Sequence, residues 1–227
     1  MDTKSKEMKK ATVLAVILAL YSVFTVLQNL YEMKTLGTET FAIGGGGIAF
    51  SWATFLIMDI CTEIYGKKRT MQVYTFAGVL NLFTVLVSQI LVILPGTYPE
   101  QNEAFRLIFS NGPRTALASF AAFWCGNFVN MWIMLLMKKL DKAKGAFLGC
   151  VLLFARAVLS TIFGQFIDNA IFATLAFAPI GLSAFEMRWI DILTSSVLGV
   201  FNETVIETCM VPFITIPVIR KLKKSFE

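Results

Sequence analysis

The sequence contains no histidine, and its four cysteines include no C-x-x-C pair. Because zinc sites are built mainly from these two residue types, we expect no Cys/His zinc site. All four cysteines lie in apolar stretches, where a free cysteine packs as a small apolar side chain, and no disulfide is expected. They are Cys61, Cys125, Cys150 and Cys209. We therefore expect neither a metal site nor a cofactor.

Charge is scarce as well. Only 15% of the 227 residues are Asp, Glu, Lys or Arg, against about 25% in soluble domains. Runs of about 18 or more mostly apolar residues are typical of transmembrane helices. Six such runs are present, at 11–31, 41–66, 70–94, 114–137, 146–177 and 187–219. The sequence therefore predicts an all-α integral membrane protein, a single transmembrane domain over 1–227 built as a six-transmembrane-helix bundle.

The basic residues are placed asymmetrically between these runs. Most of the 20 Lys and Arg residues fall before the first run and after the second, fourth and sixth. They are Lys4, Lys6, Lys9, Lys10, Lys67, Lys68, Arg69, Lys138, Lys139, Lys142, Lys144, Arg220, Lys221, Lys223 and Lys224. By the positive-inside rule, both termini are predicted to be cytoplasmic. Topology thus accounts for the net charge of +5, and we expect the lipid bilayer rather than nucleic acid as a partner.

Three segments allow more than one interpretation. The external loop contains "EAFRLIF", which predicts a short interfacial helix serving as a lid or as a plain connector. The run Gly44–Gly47 opens the second predicted helix and indicates either close helix packing or a broken helix that lines a cavity. The fifth run is too long for the bilayer, so it must tilt, break near Gly164 or end near Phe172.

Ionisable residues inside the apolar runs are the main functional signal. A charge at the bilayer centre costs about 2.5–3.5 kcal/mol on insertion scales, so such residues usually face the bundle interior. Five acids stand against one base: Asp59, Glu63, Asp168, Glu203 and Glu207 against Arg156. This set cannot form only neutral ion pairs, and it occurs at several depths. It therefore predicts a polar central pathway for a solute.

Helical spacing assigns faces to these residues. Asp59 and Glu63 are four residues apart and close to the cytoplasmic end of their helix, which favours a gate or a proton-coupling site. The fifth run places Gln165, Asp168 and Phe172 on one face. Arg156 points to nearly the opposite side, and we interpret it as a structural buried charge that ties helices together.

Two motifs, "DICTEIYGKKRT" (59–70) and "RAVLSTIFGQFIDNAIF" (156–172), closely resemble the queuosine precursor transporter family, also called the vitamin uptake transporter family. Helix four, with Asn127 and Asn130, also fits, and the resemblance in length and layout covers nearly the whole chain. It implies import of 7-deazaguanine bases, such as 7-cyano- or 7-aminomethyl-7-deazaguanine or queuine, across the bacterial cytoplasmic membrane for tRNA modification.

The expected binding groups follow from the chemistry of a guanine-like base. Its N1–H and exocyclic amine are donors that a carboxylate accepts as a pair, and Asp168 is the candidate. Gln165 or Asn127 could donate to the ring carbonyl. The flat ring needs an aromatic slot, and the candidates are Trp124, Trp52 and Phe172; Asn130, Glu203 and Glu207 complete the predicted substrate site.

The last helix departs from the family pattern. Many relatives have a lysine about ten residues before the proline of this helix, whereas this sequence has Asn202 there, followed by Glu203 and Glu207. Nearby acids favour a base that carries a cationic amine over the neutral cyano base.

Three classes of function are compatible with a polar pathway through a helical bundle. A secondary transporter is favoured because the chain has no ATP-binding motif, and the intramembrane carboxylates suit proton coupling. The alternative is the substrate-binding subunit of an energy-coupling-factor importer, which would need an ATPase partner. An intramembrane enzyme is disfavoured because the motifs of aspartyl proteases are missing, so we predict no enzyme activity. The sequence is also compatible with a homo-oligomer.

Overall fold

The computed structural model describes residues 3–31, 34–38, 41–109, 113–140, 146–180 and 188–226. Its elements are α1 (Thr3–Tyr31), β1 (Thr35–Thr38), β2 (Phe41–Gly45), α2 (Ile48–Ile93), α3 (Pro99–Phe109), α4 (Pro113–Leu140), α5 (Ala146–Phe177), α6 (Trp189–Met210) and α7 (Thr215–Phe226). In this part of the chain, five helices are long and apolar enough to cross a membrane: α1, α2, α4, α5 and α6. Lys142 and Lys144, two of the predicted cytoplasmic lysines, lie outside the described residues.

The outer surfaces of these helices carry large apolar side chains. Phe83 is 63% exposed, Phe147 83% and Phe201 65%. A water-soluble monomer rarely exposes apolar patches of this extent, whereas the acyl chains of a bilayer are a matching solvent. The chain is therefore a multi-pass membrane protein.

Helix α2 changes direction at one residue. Gly66 has φ 71° and ψ −178°, a conformation that glycine adopts without the steric penalty other residues meet. Before it, Asp59 contacts Asn130 of α4, and Glu63 contacts Lys138 further along α4. After it, the Tyr74 and Trp124 ring centroids are 6.0 Å apart, and a Cβ on Gly78 would lie 3.3 Å from Phe120, further back along α4. The two halves, 48–65 and 67–93, thus meet α4 in opposite directions, which makes α2 a helical hairpin.

Several basic segments meet at one end of the bundle. The Tyr65 hydroxyl donates to the Lys10 carbonyl at 2.9 Å, and the Lys10 ammonium lies 5.5 Å from the Phe226 ring centroid. Lys138 and Lys223 both form ion pairs with Glu63 at this end. We call it the basic end, and we call the other, where α1 meets the β-hairpin, the opposite end.

The prediction for Gly44–Gly47 and the start of the second helix was wrong. Residues 41–45 form strand β2, which pairs antiparallel with β1, and α2 begins only at Ile48. The fold is therefore not purely α-helical. Gly46 approaches the end of α1 so closely that a Cβ there would lie 2.5 Å from the Tyr31 carbonyl oxygen. Glycine is thus used here for close backbone packing in a turn rather than for unwinding a membrane helix.

The predicted sixth helix, 187–219, is divided in two. Helix α6 ends at Met210, and a turn over 211–214 precedes α7. Pro212 lies in that turn, where its missing N–H and fixed φ stop the helix. Helix α7 buries Thr215 and Ile219 and exposes Arg220 and Lys224. This amphipathic pattern is typical of a helix lying at a membrane interface.

Three other expectations concerned helix boundaries. Helix α5 is continuous over 32 residues, so it neither breaks at Gly164 nor ends near Phe172. At 1.5 Å per residue it is about 48 Å long, which leaves a strong tilt as the way to fit the bilayer. The segment "EAFRLIF" is helical, within α3, as predicted. Helix α1 begins at Thr3 and therefore extends through the lysines that precede the apolar run.

Candidate functional site

A small polar cavity lies between α1, α4, α5 and α6. Its volume is about 70 Å³, and Asp168 and Glu203 contribute carboxylates to its wall. The uncharged polar side chains around it are Thr25, Gln28, Asn29, Ser119 and Asn169. Phe123 and Phe172 supply flat apolar surface. We call this space the polar cavity; it offers carboxylates, amides and aromatic faces within one enclosure.

A larger space adjoins it toward the opposite end. This outer cavity has a volume of about 350 Å³ and lies between α1, the second half of α2, α3, α4 and α5. Asn29, Ser119 and Phe172 line both spaces, so these three side chains form the boundary between them. The Ser119 hydroxyl donates to Asn29 Oδ1 at 3.0 Å across that boundary.

Helix α3 closes the outer cavity. Phe105, Ile108 and Phe109 face it, and the Gln89 side chain donates to the Phe109 carbonyl at 2.6 Å. Gln89 lies near the end of α2, so this bond fixes the end of α3 to the bundle. Such a position suits the lid interpretation of the loop as well as the connector interpretation.

Asp168 is positioned by close packing of two glycines. A Cβ on Gly126 of α4 would lie 2.7 Å from the Asp168 Cβ and 2.9 Å from the Gly164 carbonyl oxygen. A Cβ on Gly164 would lie 2.8 Å from the Asn130 Cβ. Helices α4 and α5 therefore approach each other at a point that only glycine allows, one turn from Asp168.

Two amides at the polar cavity have unused hydrogen-bonding groups. Gln28 Oε1 and Asn169 Nδ2 are buried and have no hydrogen-bond partner among the described residues. The Asn169 amide packs against Gly199 of α6, where an added Cβ would lie 3.3 Å away. A buried donor or acceptor without a partner is costly, so groups of this kind are suited to a bound ligand or water.

Glu207 and Gln165 lie together, deeper in the bundle than the polar cavity. Thr161 donates to Glu207 Oε1 at 2.5 Å, and Gln165 Nε2 lies 3.4 Å from Glu207 Oε2. The other end of the Gln165 amide accepts from Thr204 at 3.0 Å. Both groups of the Gln165 side chain are thus committed to neighbours on α6, which leaves it few contacts to offer a solute.

Asp59 forms a third polar centre with Asn130. Asn130 Nδ2 donates to Asp59 Oδ1 at 3.1 Å, and the Ser160 hydroxyl lies 3.5 Å from the same oxygen. Asp59 and Asn130 are both fully buried. Asp59 Oδ2 and Asn130 Oδ1 have no hydrogen-bond partner in the described part of the chain. This centre therefore has unused acceptor capacity at its middle.

Glu63 is surrounded by three cations at the basic end. Arg156 of α5 and Lys223 of α7 contact its two carboxylate oxygens, and Lys138 of α4 lies 3.1 Å from Oε2. Lys138 also donates to the Glu63 carbonyl at 3.0 Å. The Glu63 and Arg156 side chains are 2% and 4% exposed, whereas the two lysines are about half exposed. This Glu63 ion-pair cluster links four helices through one carboxylate.

The remaining predicted site residues lie away from the polar cavity. Asn127 accepts from the Tyr21 hydroxyl at 2.6 Å and donates to the Phe123 carbonyl at 2.7 Å. Trp124 stacks on Phe128 with ring centroids 5.7 Å apart and packs against the main hydrophobic core. Trp52 donates its indole N–H to the Ala49 carbonyl at 3.0 Å.

The structure adds residues that the sequence did not single out. Thr25, Gln28 and Asn29 of α1 form one wall of the polar cavity, and Ser119 of α4 contributes to another. The polar pair Gln28–Asn29 near the end of an apolar run could have indicated a polar site, but it predicts a helix terminus equally well. Across the described residues, no three His, Cys, Asp or Glu side chains form a group suited to a metal ion.

The fold and the polar interior define a helical membrane protein with two adjoining cavities among its helices. A model of the family described as "Putative vitamin uptake transporter" matches residues 45–217, about three quarters of the chain. The chain belongs to this vitamin uptake transporter family. No curated protein and no solved structure matches it. The matched range contains both motifs and every acid of the three polar centres.

Proposed function

We propose that the chain imports 7-deazaguanine bases, the queuosine precursors, across the bacterial cytoplasmic membrane as a secondary transporter. The observation that carries the proposal is the polar cavity, in which Asp168 lies beside unused amide groups and two aromatic rings within the family-matched range. Family membership supports uptake of a vitamin-like solute, and the cavity supplies the chemistry that a guanine-like edge requires.

The proposed topology has six spans and cytoplasmic termini. Helix α2 supplies two of the spans because it folds back at Gly66. The basic end, which holds Lys10, Lys138 and Lys223, then faces the cytoplasm as the positive-inside rule requires. The polar cavity and outer cavity open toward the outside in this arrangement, so an incoming solute reaches them first.

The binding pose uses the groups that line the polar cavity. Asp168 accepts the N1–H and the exocyclic amine as a pair, and Asn169 Nδ2, which has no partner among the described residues, donates to the ring carbonyl. This role passes to Asn169 because Gln165 and Asn127 are committed to protein neighbours. Phe123 and Phe172 flank the ring in place of the two tryptophans.

The size of the two cavities implies a moving boundary. Ligand pockets typically measure about 300–1,000 Å³, a range that includes the outer cavity but not the polar cavity. We propose that the base first occupies the outer cavity and then passes Asn29, Ser119 and Phe172 as the helices part. Such gated steps between two enclosed spaces are common in alternating access.

The first test is uptake of radiolabelled bases by a bacterium that lacks both their synthesis and its own importer. The chain expressed alone is expected to restore uptake. Asp168→Asn is expected to lower it about 10- to 100-fold, because hydrogen bonds to a charged group contribute about 1.5–3 kcal/mol. Glu7→Gln, at an exposed position of α1 outside both cavities, is the matched control and should transport normally.

Different results would point elsewhere. Normal uptake by Asp168→Asn at equal membrane abundance would remove Asp168 from the site. No uptake by the folded parent chain, together with tight binding of the base to the purified protein, would favour a substrate-binding subunit that needs an ATPase partner. If the folded parent chain shows neither uptake nor binding of the base, the 7-deazaguanine assignment is overturned.

A second test concerns selectivity between bases. Glu203 lines the polar cavity, whereas Glu207 is sealed away from it, so we expect Glu203→Gln alone to weaken the preference for the aminomethyl base over the cyano base. The expected change in the uptake ratio is roughly tenfold, the size of one lost charge-assisted hydrogen bond. An unchanged uptake ratio in competition assays would show that Glu203 does not recognise the amine of the base.

A further inference from the structure

Asp59 and Glu207 are buried carboxylates on neighbouring helices. Asp59 is 0% exposed and Glu207 1%. Consecutive residues of α5 contact them, since the Ser160 hydroxyl lies 3.5 Å from Asp59 Oδ1 and Thr161 donates to Glu207 Oε1 at 2.5 Å. Within the described residues, neither carboxylate forms an ion pair with Lys or Arg. Arg156 acts electrostatically on Asp59, but its guanidinium is bound to Glu63. Burying two adjacent ionised carboxylates in this way is very costly, and such groups take up a proton instead.

The neighbours of the pair can accommodate a proton. Asn130, Ser160, Thr161 and Gln165 are amides and hydroxyls, which can accept from a protonated carboxyl or donate to an ionised one. Asp59 Oδ2 and Asn130 Oδ1 have no partner in the described residues, so a hydrogen on Oδ2 would find unused acceptor capacity nearby.

We propose that Asp59 and Glu207 together form a proton-binding site that couples solute uptake to proton entry. The proposal rests on the transport function proposed above and adds its driving ion. One proton from the external water binds to the pair with the outer side open. The same proton leaves to the cytoplasmic water when the bundle opens at the basic end, so charge and protons balance over the cycle.

Carboxylates continue from the pair in both directions. Glu203 lies one turn from Glu207 on α6 and lines the polar cavity, and Glu63 lies one turn from Asp59 on α2 at the basic end. One helical turn of four residues rises about 6 Å. A proton that enters at the polar cavity therefore meets Glu203 one turn before the pair, and the solute site and the proton site are linked through α6.

Glu63 itself is not the proton carrier. Three cations surround its carboxylate, and protonating it would leave Arg156, which is 4% exposed, facing a neutral group. The structure thus separates two residues that the sequence grouped as one gate or proton site. Asp59 belongs to the proton pair, and Glu63 stays ionised and holds the basic end closed.

The deciding experiment compares driven uptake with exchange in liposomes. The purified chain is reconstituted, the membrane potential is clamped at zero with potassium and valinomycin, and the interior is made about two pH units more alkaline. With one proton per solute, radiolabelled 7-aminomethyl-7-deazaguanine should accumulate up to about a hundredfold in the wild type. Asp59→Asn and Glu207→Gln should show no accumulation but keep counterflow exchange, and Glu7→Gln, at an exposed position of α1 outside both cavities, should behave as wild type.

Two results would overturn the proposal. One is accumulation by both variants at the wild-type level. The other is wild-type accumulation that does not respond to the pH gradient. If a variant loses exchange as well, Thr161→Val takes its place: removing the hydroxyl that donates to Glu207 should shift the pH midpoint of uptake, and an unmoved midpoint counts against the pair.

An infrared measurement separates this proposal from the transport function. If the wild type neither accumulates nor exchanges the base, the proposed substrate is wrong, but the purified chain should still show the C=O band of a buried protonated carboxyl group at neutral pH. That band should disappear in at least one of the two variants, Asp59→Asn and Glu207→Gln. A wild-type spectrum without it would overturn the proton site whatever the substrate is.

Discussion

Glu63→Gln is expected to lower the free energy of unfolding by about 3–5 kcal/mol, the usual effect of removing one partner of a buried ion pair. The variant leaves the Arg156 guanidinium, 4% exposed, without its counter-charge. It also removes the charge that attracts Lys138 and Lys223, so the basic end should loosen. Unfolding of the purified protein in mixed micelles, followed by circular dichroism, measures the change.

Two further variants test the cause. Lys223→Met removes a half-exposed partner and should cost at most about 1 kcal/mol, as exposed pairs do. The double variant Glu63→Gln, Arg156→Gln removes both buried charges and should be more stable than Glu63→Gln alone. Additive losses in the double variant would contradict the idea that the stranded guanidinium causes the damage.

The parts of the fold that were predictable from the sequence depend on long, uninterrupted signals. The apolar runs at 114–137 and 146–177 correspond closely to α4 and α5, because about 20 apolar residues are the length a bilayer requires. The family was identified correctly from two motifs. Both kinds of signal are local in the chain, so they need no knowledge of how the helices pack.

The errors arose where a few residues decide the local conformation. Four glycines in an apolar stretch fit a helix end and a hairpin turn equally well, and the choice depends on the Tyr31 carbonyl that Gly46 meets. The end of α6 was predicted too late because Pro212 interrupts a run that stays apolar on both sides.

The candidate site was predictable only to the level of helix faces. Spacing of four residues places Glu203 and Glu207 on one side of α6, but it does not say that one lines the polar cavity and the other is sealed. Asn127 and Asn169 are the same residue type in apolar helices. The Tyr21 hydroxyl donates to Asn127, whereas Asn169 Nδ2 has no hydrogen-bond partner among the described residues. Such differences depend on the rotation and separation of whole helices.

The contact between α4 and α5 gives the second large expected effect. Gly126→Ala should destabilise the protein by about 1–3 kcal/mol, because overpacking a tight contact forces backbone shifts. The added methyl would lie 2.7 Å from the Asp168 Cβ and 2.9 Å from the Gly164 carbonyl oxygen, so the helices must separate. Since Asp168 moves with α5, uptake of the 7-deazaguanine base should fall roughly tenfold or more.

A matched control exists on the same helix as Asp168. Gly149→Ala adds a methyl that meets no atom within 4 Å, and alanine favours the helix more than glycine does. We therefore expect unchanged uptake and equal or slightly higher stability for Gly149→Ala. If Gly126→Ala transports as well as Gly149→Ala, the α4–α5 contact does not set the position of Asp168. We expect that no substitution at Gly164 rescues Gly126→Ala, because Gly164 already lacks a side chain that could be removed.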